Sequence, residues 1–476
     1  MNKKLVYIIL PIVSVLLIGG IVAMSVLCFY KTQVQITFVS QNGLVLGQKN
    51  IETTIIKGVD YNEYCPLGYK VTNSKNVNNK VTATIEYDTY EMPIITINTK
   101  DNAEILDKEN YVTSQVSITN CLDEFKKDNV EAGVRLRGNS TLNAPKKAYR
   151  IKFNKREGML GLNDNAKCKS WVLLADYYDP SLLRNYAMFT FAKNLNIFSS
   201  DCQHIELFLN GEYQGVYLLA EQMQIDKYRI DIEEYDPDTS DPVNTGYLLE
   251  NEDYVYVHED YYFQCNMNGI ETDYMHWVIK SDTTSPEQIA YIQGYMQQVY
   301  DAIFNYREAD VKQLIDVNSA VERVIIELFM NNIDENASYR VWKDKDGKLI
   351  FGAPWDADLS MGNYSWHSGT ATYLNHLTKD LFITDWFYQL VKTRWFELYN
   401  LGKFTEWYAN IENTTNQFEK SFARNFERWD ILGTKPNNGA QSDNFLTYKT
   451  HKDASKDLVD WLKFRIESLK NMHLVY

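Results

Sequence analysis

The sequence is poor in cysteine and proline, and it contains no low-complexity linker and no obvious repeat. Only 6 of its 476 residues are cysteine and 10 are proline. No two cysteines form a CxxC pair, which excludes a zinc ribbon and a thioredoxin-type redox motif. Cys28 lies in an apolar N-terminal segment, and the other five cysteines cannot all pair with one another. A disulfide framework is therefore excluded, although one bridge is allowed.

The sequence also has fewer basic than acidic residues. The 48 Lys and Arg residues are outnumbered by 63 Asp and Glu residues, which gives a net charge of −15. We expect no nucleic-acid partner, because such binding depends on neutralising phosphates. With 45% hydrophobic residues the chain is globular rather than disordered, and its length predicts two or three folded units.

An apolar run lies at the N-terminus. Residues 5–30 contain no charged side chain, and a helix of about 20 apolar residues spans a bilayer. Lys3 and Lys4 precede the run and only Lys31 follows it closely, so the positive-inside bias places the N-terminus in the cytoplasm. We expect a single-pass membrane protein whose remaining chain is extracytoplasmic, at the cell surface.

Two other interpretations of this run fit less well. A cleaved signal peptide has an apolar core of roughly 7–15 residues and small residues before the cut, whereas this run is longer. A lipoprotein anchor at Cys28 would need a small residue where Leu27 stands. The sequence therefore predicts an uncleaved signal-anchor.

The remaining chain divides into a small module and a large domain. Val34, Ile36 and Phe38 fall on alternate positions, which is the period of a strand. Short strands with turn signals continue to about residue 90 and predict a β-rich module, which is either a spacer or a binding unit. The predicted parts are 1–31 for the cytoplasmic stub and transmembrane anchor, 32–90 for the β module and 91–476 for the main domain.

Cationic side chains occur on two predicted strands joined by a polar loop. Arg137 begins the loop, and Ser140 together with the backbone amides near Gly138 could meet phosphate oxygens. Arg150 and Lys152 share one face of the second strand and could neutralise those oxygens. Taken alone the signal is weak, because basic strand faces are usually solvated.

Polar residues at the start of a predicted helix allow two interpretations. Asp179 and Ser181 lead into a helix that contains Arg184 and Asn185. Such residues usually cap the helix and form local ion pairs. Alternatively, they orient the basic strand.

Glu221 ends the second strand of a predicted hairpin. The turn of this hairpin is Asn210-Gly211, a strong signal between alternating strands. Considered alone, an acid at a strand exit is best explained as a solvated strand end.

The most informative segment begins with an apolar helix. Ser319 and Glu322 match a capping box at its start. The apolar positions then follow the stripe of a core-facing helix. They are Val321, Val324, Ile325, Leu328 and Phe329.

Two acidic loops follow this helix and flank a predicted hairpin. Asp334 and Asn336 come before the hairpin, and Asp356 and Asp358 come after it. Because a hairpin brings its ends together, we expect these side chains to lie close to one another. Phosphoryl transfer needs such a group, in which one carboxylate orients the acceptor hydroxyl and another holds Mg²⁺ on the phosphates. Protein kinases have the same order of helix, catalytic loop, hairpin and metal-binding Asp.

Three motifs, in this order, resemble the signature of the CotH (spore coat protein H) kinase family. They are RGNSTLNAPKKAYRIK at 137–152, LNGEYQGVY at 209–217, and PWDAD at 354–358 with Gly362 shortly after. The similarity extends from about Met92 to the C-terminus, which is most of the chain.

The resemblance implies an α+β chain with a divergent protein-kinase-like fold that binds ATP with Mg²⁺ or Mn²⁺. Such a protein would phosphorylate Ser or Thr on other proteins. The implied catalytic residue is Asp334, and the implied metal ligands are Asp356, Asp358 and Asn336. The nucleotide would be bound by Arg137, Ser140, Arg150 and Lys152, with Glu221 as a candidate partner of the lysine.

Two alternatives remain at this point. The chain could be a surface adhesion or binding protein that uses a kinase-like scaffold without catalysis. It could also transfer a group other than phosphate, because positioning a nucleotide and a metal leaves open which bond breaks.

Overall fold

The structure is a computed structural model that describes most of the chain after the predicted anchor. The described residues are 31–41, 43–53, 59–252, 261–267, 269, 275–281, 285–332, 339–352, 354–364, 372–437 and 439–470. The predicted anchor at 5–30 and the predicted site residues Asp334 and Asn336 lie outside them. Within the described part, no helix is both long enough and apolar enough to cross a bilayer.

Contacts divide the chain into two compact units. The first consists of Met1–Tyr90 and Gly211–Tyr213, and the second consists of Glu91–Asn210 and Gln214–Tyr476. All five cysteines that the structure describes are free thiols, so the one bridge that the sequence allowed is not formed among them.

The first unit is an open sheet of four strands in the order β2-β1-β4-β3. The strands are β1 (Thr32–Val39), β2 (Val45–Thr53), β3 (Tyr69–Val77) and β4 (Lys80–Tyr87). Strand β1 is parallel to β4 and antiparallel to β2. Val34, Ile36 and Phe38 are buried on one face of β1, as their alternation predicts.

After residue 90, seven strands form a sheet that closes on itself, and all of them except the first two residues of the last strand belong to the second unit. The strands are β5 (Ile94–Thr99), β6 (Val112–Thr119), β7 (Lys127–Leu136), β8 (Tyr149–Glu157), β9 (Cys168–Leu174), β10 (Cys202–Leu209) and β11 (Glu212–Glu221). Their order is β10-β11-β9-β8-β7-β6-β5, and the parallel pairing of β10 with β5 closes the sheet. Asn210 and Gly211 both have positive φ at the turn between β10 and β11, as the Asn-Gly signal predicts.

A five-stranded sheet and ten helices complete the described part of this unit. The strands, in the order β13-β14-β12-β15-β16, are β12 (Tyr247–Glu252), β13 (Tyr262–Gln264), β14 (His276–Ile279), β15 (Tyr339–Lys343) and β16 (Leu349–Phe351). The helices are α1 (Leu162–Asn165), α2 (Arg184–Ala192), α3 (Pro286–Phe304), α4 (Glu308–Leu314), α5 (Val317–Met330), α6 (His376–Phe382), α7 (Asp385–Asn400), α8 (Lys403–Gln417), α9 (Glu419–Arg428) and α10 (His451–Ser468). The predicted α+β class is confirmed.

Alternation along β7 and β8 separates apolar from cationic side chains. Ile151 and Phe153 of β8 pack inside the closed sheet. Arg150 and Lys152 therefore lie on its opposite face, because successive side chains of a strand point to opposite faces. Arg150 pairs in register with Arg135 of β7, which places the cations of both strands on this one face.

Helix α5 is buried as its apolar stripe predicts, but its predicted capping box is wrong. The N-cap is Asp316, whose carboxylate accepts the Ser319 N–H at 2.7 Å. The Ser319 hydroxyl instead accepts the N–H of Phe351 in β16 at 2.9 Å. An acid three residues upstream outcompetes Ser319 because it satisfies the same unpaired amide groups. The result ties α5 to the hairpin that precedes Asp356.

Two buried histidines fix the segment that leads into α2. His204 of β10 contacts the Leu182 carbonyl through Nε2 at 2.9 Å, and His451 of α10 contacts the Ser181 carbonyl at 2.6 Å. Each Nε2 must carry a proton to donate to a carbonyl. Burial lowers the pKa of both imidazoles to about 4. Both rings are therefore neutral donors at neutral pH.

The histidines make stability depend on pH. The unfolded chain takes up protons near pH 6.5, whereas the folded chain resists them until about pH 4, so stability falls as pH drops through this range. We expect His451→Gln to be less stable than the parent at pH 7.5. The difference should shrink by on the order of 2 kcal/mol at pH 5. Urea unfolding at both pH values checks this, and a difference that is independent of pH would contradict it.

Candidate functional site

The loop after β16 carries the two predicted metal ligands, Asp356 and Asp358. Asp356 is exposed and has a φ of 63°, a conformation that is uncommon for residues other than glycine. The peptide group between Asp356 and Ala357 is held at both of its polar atoms. Its carbonyl accepts from the Asn332 side chain at 3.1 Å, and the N–H of Ala357 donates to Asn185 Oδ1 at 2.9 Å. The carboxylate is therefore presented to solvent from a fixed backbone.

Arg184, the first residue of α2, anchors the far end of the same loop. Its guanidinium donates to the carbonyls of Ser360 at 2.9 Å and Met361 at 3.2 Å. It also pairs with Asp179, and both side chains are buried. Asp179 in turn accepts the backbone N–H groups of Leu183 and Arg184 at 3.1 and 2.9 Å. Of the two interpretations, the local ion pair is found, and Asp179 satisfies the first amide groups although the N-cap residue is Leu183. The start of the helix also holds the aspartate loop.

A buried amide oxygen lies beside Asp358. The Asn363 Nδ2 group donates to the carbonyls of Asp358 and Tyr178. Its Oδ1 atom is buried and has no hydrogen-bond partner among the described residues. An oxygen in this position is able to receive a donor or a cation.

Cationic side chains surround Trp355, the residue before Asp356. The guanidinium of Arg137 lies 5.3 Å from the ring centroid of Trp355, and that of Arg340 lies 5.2 Å from it. Burial lowers the pKa of Arg137, and the negative charge of Asp356 opposes this shift. Arg137 of the basic loop and Asp356 of the acidic loop thus belong to one site.

Glu250 of β12 balances part of this positive charge. It pairs with Arg340, its neighbour in register on β15, and with Lys280 at 3.1 Å. Burial alone would raise the pKa of Glu250, but Arg340 and Lys280 outweigh it and the pKa is lowered. One guanidinium nitrogen of Arg340, Nη1, stays buried without an acceptor in the part of the chain that the structure describes.

Two further buried ionisable side chains, Asp176 and Lys146, interact with each other electrostatically. Asp176 accepts from Asn185 Nδ2 at 2.7 Å, and Asn185 is the side chain that holds the Ala357 N–H. Burial raises the pKa of Asp176, and burial lowers the pKa of Lys146. The Lys146 ammonium donates to the Val216 carbonyl and to the Asn425 side chain. Lys146 is thus bonded to β11 and α9, while Asp176 is bonded to the side chain that holds the peptide group after Asp356, and the charges of Lys146 and Asp176 act on each other.

A family model described as CotH kinase protein matches residues 134–469. The chain belongs to the CotH kinase family. The match covers about seven tenths of the sequence and includes all three motifs that carried the resemblance. No curated protein matches the chain.

The side chains around the aspartate loop are of the chemical type that binds magnesium, the metal that the resemblance to kinases implies. Mg²⁺ is typically bound by one or two carboxylates, substrate phosphates and water. Asp356, Asp358 and the unpartnered Asn363 oxygen supply donors of this type. No group of three or more acidic, His or Cys side chains able to hold a metal occurs among the described residues. The remaining predicted ligand, Asn336, lies outside them.

The predicted nucleotide-binding residues on β8 and in its preceding loop are spread along the sheet. Arg150 donates to the Ser170 hydroxyl at 3.3 Å, and its charge acts on Arg137. Ser140 is exposed in a short turn. Lys152 is exposed further from the aspartate loop, with its ammonium 5.7 Å from the ring centroid of Tyr111. A nucleotide-binding role for these residues stays a prediction.

Glu221 is buried but is not the partner of Lys152. It pairs with Arg229 at 3.5 Å and accepts from Asn163 and from the N–H of Asp201. Burial raises the pKa of Glu221. The simpler interpretation of a solvated strand end also fails, because the strand exit is covered.

Sequence reasoning missed several residues that build the site. They are Lys146, Asp176, Trp355 and Arg340. Lys146 and Trp355 stand inside the family motifs, but nothing in the local pattern separates a buried lysine from its exposed neighbours. Asp176 and Arg340 join the site only through contacts between distant segments, which periodicity does not report.

Replacing Asn185 should destabilise the aspartate loop. Asn185→Leu keeps the side-chain size but leaves the Ala357 N–H and the Asp176 carboxyl without their partner. Because two buried polar groups lose a hydrogen bond, we expect unfolding to require about 2–4 kcal/mol less free energy. Urea denaturation measures this loss. Asn413→Leu, an exposed position on α8, is the control and should stay within about 0.5 kcal/mol. Equal effects at both positions would contradict the assignment.

Proposed function

We propose that this protein is an ATP- and Mg²⁺-dependent atypical protein kinase that phosphorylates Ser or Thr. Mn²⁺ is the alternative metal. The observation that supports this most strongly is the juxtaposition of Asp356 and Arg137. Asp356 is an exposed carboxylate on a held loop, and the residue before it, Trp355, has its ring centroid 5.3 Å from the Arg137 guanidinium, which forms no ion pair within the described chain. The negative charge of Asp356 acts on that guanidinium. A metal-bound phosphate satisfies both groups at once.

Each part of the site has a role in this proposal. Asp356 and Asp358 would hold Mg²⁺, which, when bound with ATP, neutralises charge on the phosphates. Arg137 and Arg340 would orient phosphate oxygens, since Arg340 retains a buried N–H without an acceptor. Both guanidinium groups lie within about 6 Å of the Trp355 ring centroid, which allows a cation–π attraction that would help to orient them. Holding the groups in position is the main contribution that a kinase makes to phosphoryl transfer.

Asp334 would receive or orient the proton of the acceptor hydroxyl. The support is its place in the sequence, after α5 and before the hairpin, together with membership of the CotH kinase family. Asn332, two positions earlier, donates to the Asp356 carbonyl and so connects the end of α5 to the aspartate loop. Asn336 would complete the metal ligands.

The sequence supports an extracytoplasmic setting for this activity. The uncharged run at residues 5–30 would anchor the chain with its N-terminus inside, and the kinase domain would meet proteins of the cell surface. The protein substrate and the membrane are then its partners.

Phosphotransfer to a Ser-rich protein substrate tests the proposal. The purified chain is incubated with Mg²⁺ or Mn²⁺ and ATP labelled at either the γ- or the α-phosphate. We expect transfer of the γ-label and at least a 100-fold loss of rate in Asp356→Asn and Asp334→Asn, because each removes a charge that the transfer needs. Asp128→Asn, an exposed position on β7, should retain full activity.

A thermal melt of each variant separates lost chemistry from lost folding. Asp356→Asn should melt like the parent without ligand and should lose the rise in Tm that Mg²⁺ with ATP gives the parent. Transfer of the α-label instead would show that a different group is transferred. If the parent neither labels protein nor gains stability from nucleotide, the chain is a binding protein on this scaffold and the kinase proposal fails.

A further inference from the structure

A row of cations extends from the candidate site along the outer face of β7 and β8. Arg135 pairs in register with Arg150, and Gly133 pairs with Lys152. Together with Arg137, these positions share one face, because they differ by two residues along each strand. Side chains spaced in this way stand about 6.6 Å apart. The row therefore runs for roughly 13 Å away from Arg137.

A tyrosine ring forms the floor at the far end of this row. The Tyr111 ring lies against Gly133, where an added Cβ would come within 2.9 Å of Tyr111. The Arg135 guanidinium lies 4.8 Å from the ring centroid, and the Lys152 ammonium lies 5.7 Å from it. Tyr111, Lys152 and Lys169 are among the residues that line an open cavity of about 280 Å³. We name Tyr111, Arg135, Arg150, Lys152 and Lys169 the basic ledge.

The cations of the basic ledge have no acidic partners close by. None of the four forms an ion pair with a carboxylate of the described residues, although Asp107 acts on Arg135 at longer range. The Nε atoms of Arg135 and Arg150 are buried without an acceptor in that same part of the chain. Burial lowers the pKa of Arg150, and the charge of Arg135 lowers it further.

This arrangement is unusual for a chain with a net charge of −15. Several arginines of the second unit with little exposure pair with carboxylates, such as Arg394 with Glu322 and Arg424 with Glu206, whereas Arg465 donates to the Leu328 carbonyl. Crowded like charges with unsatisfied N–H groups are relieved by an anion. An anionic ligand from outside the chain would therefore stabilise the cations of the basic ledge.

We propose that the basic ledge binds an anionic stretch of the protein substrate, either rich in Asp and Glu or already phosphorylated. This rests on the proposed kinase function and names its substrate class. An extended peptide presents alternate side chains about 6.6–7 Å apart, which matches the spacing of the cations on β7 and β8. The ledge is open at the Lys152 and Lys169 end, as a long polypeptide requires and a compact nucleotide does not.

Steady-state kinetics with three related peptides tests the ledge. Each peptide carries one acceptor Ser, and the neighbouring positions carry Asp, phosphoserine or Asn. The variant is Lys169→Glu, since Lys169 lies at the open end. We expect KM for the Asp and phosphoserine peptides to rise about fivefold or more, because a lost ion pair is replaced by repulsion. KM for the Asn peptide and for ATP should not change.

The matched control is Lys392→Glu on α7. Lys392 also lies over a tyrosine, 5.8 Å from the ring centroid of Tyr388, but it is outside the ledge. It should leave KM for all three peptides unchanged. A larger effect on the phosphoserine peptide than on the Asp peptide would identify prior phosphorylation as the source of the negative charge, and the reverse would identify acidic residues.

Direct binding separates this inference from the kinase proposal. Fluorescence anisotropy of labelled peptides with the full chain carrying Asp356→Asn needs no turnover. The double variant Asp356→Asn/Lys169→Glu should bind the anionic peptides more weakly than Asp356→Asn alone. This result would support the ledge even if no phosphoryl transfer is detected. Unchanged binding and KM would overturn the ledge while leaving the kinase standing. A selective rise in KM for ATP would also overturn it, by assigning these cations to the nucleotide.

Discussion

The buried pair of Asp179 and Arg184 is the interaction on which the site depends. The Asp179 carboxylate accepts hydrogen bonds from the backbone N–H groups of Leu183 and Arg184 at the start of α2. These bonds fix the positions of Arg184 and Asn185. Those two side chains then bind both ends of the aspartate loop. An unpaired charge at this depth would cost several kcal/mol, so the pair forms as a unit or the loop loses its anchor. The position of the Asp356 loop thus depends on the start of a helix in a distant segment.

Some charged side chains of the site form close pairs, whereas others do not. Glu250 pairs with Arg340 and Lys280, and Asp176 lies near Lys146, yet Arg137 and Asp356 have no such close partners among the described residues. A protein that needed only stability would pair these two groups or remove them. A cation and a carboxylate that act on each other without an ion pair favour a ligand that carries both a metal and phosphates. Membership of the CotH kinase family agrees with this interpretation.

The sequence predicted the elements of this protein better than it predicted their contacts. The α+β class, the burial of α5 and the Asn210-Gly211 hairpin follow from local periodicity and turn chemistry, and all are found. The capping box failed because Asp316 satisfies the same amide groups. Glu221 acquired Arg229 as its partner because a strand end that looks solvated in sequence is covered in the fold. Asp334 and Asn336 remain sequence predictions.

The most direct test of the account is a crystal structure with Mn²⁺ and a non-hydrolysable ATP analogue. The anomalous signal of manganese locates the metal without assumptions about the ligands. We expect a manganese peak within bonding distance of the Asp356 carboxylate, and phosphate oxygens of the analogue in contact with Arg137. A nucleotide bound away from both residues, or manganese bound only elsewhere, would contradict the assignment of this loop as the metal-binding centre of a kinase.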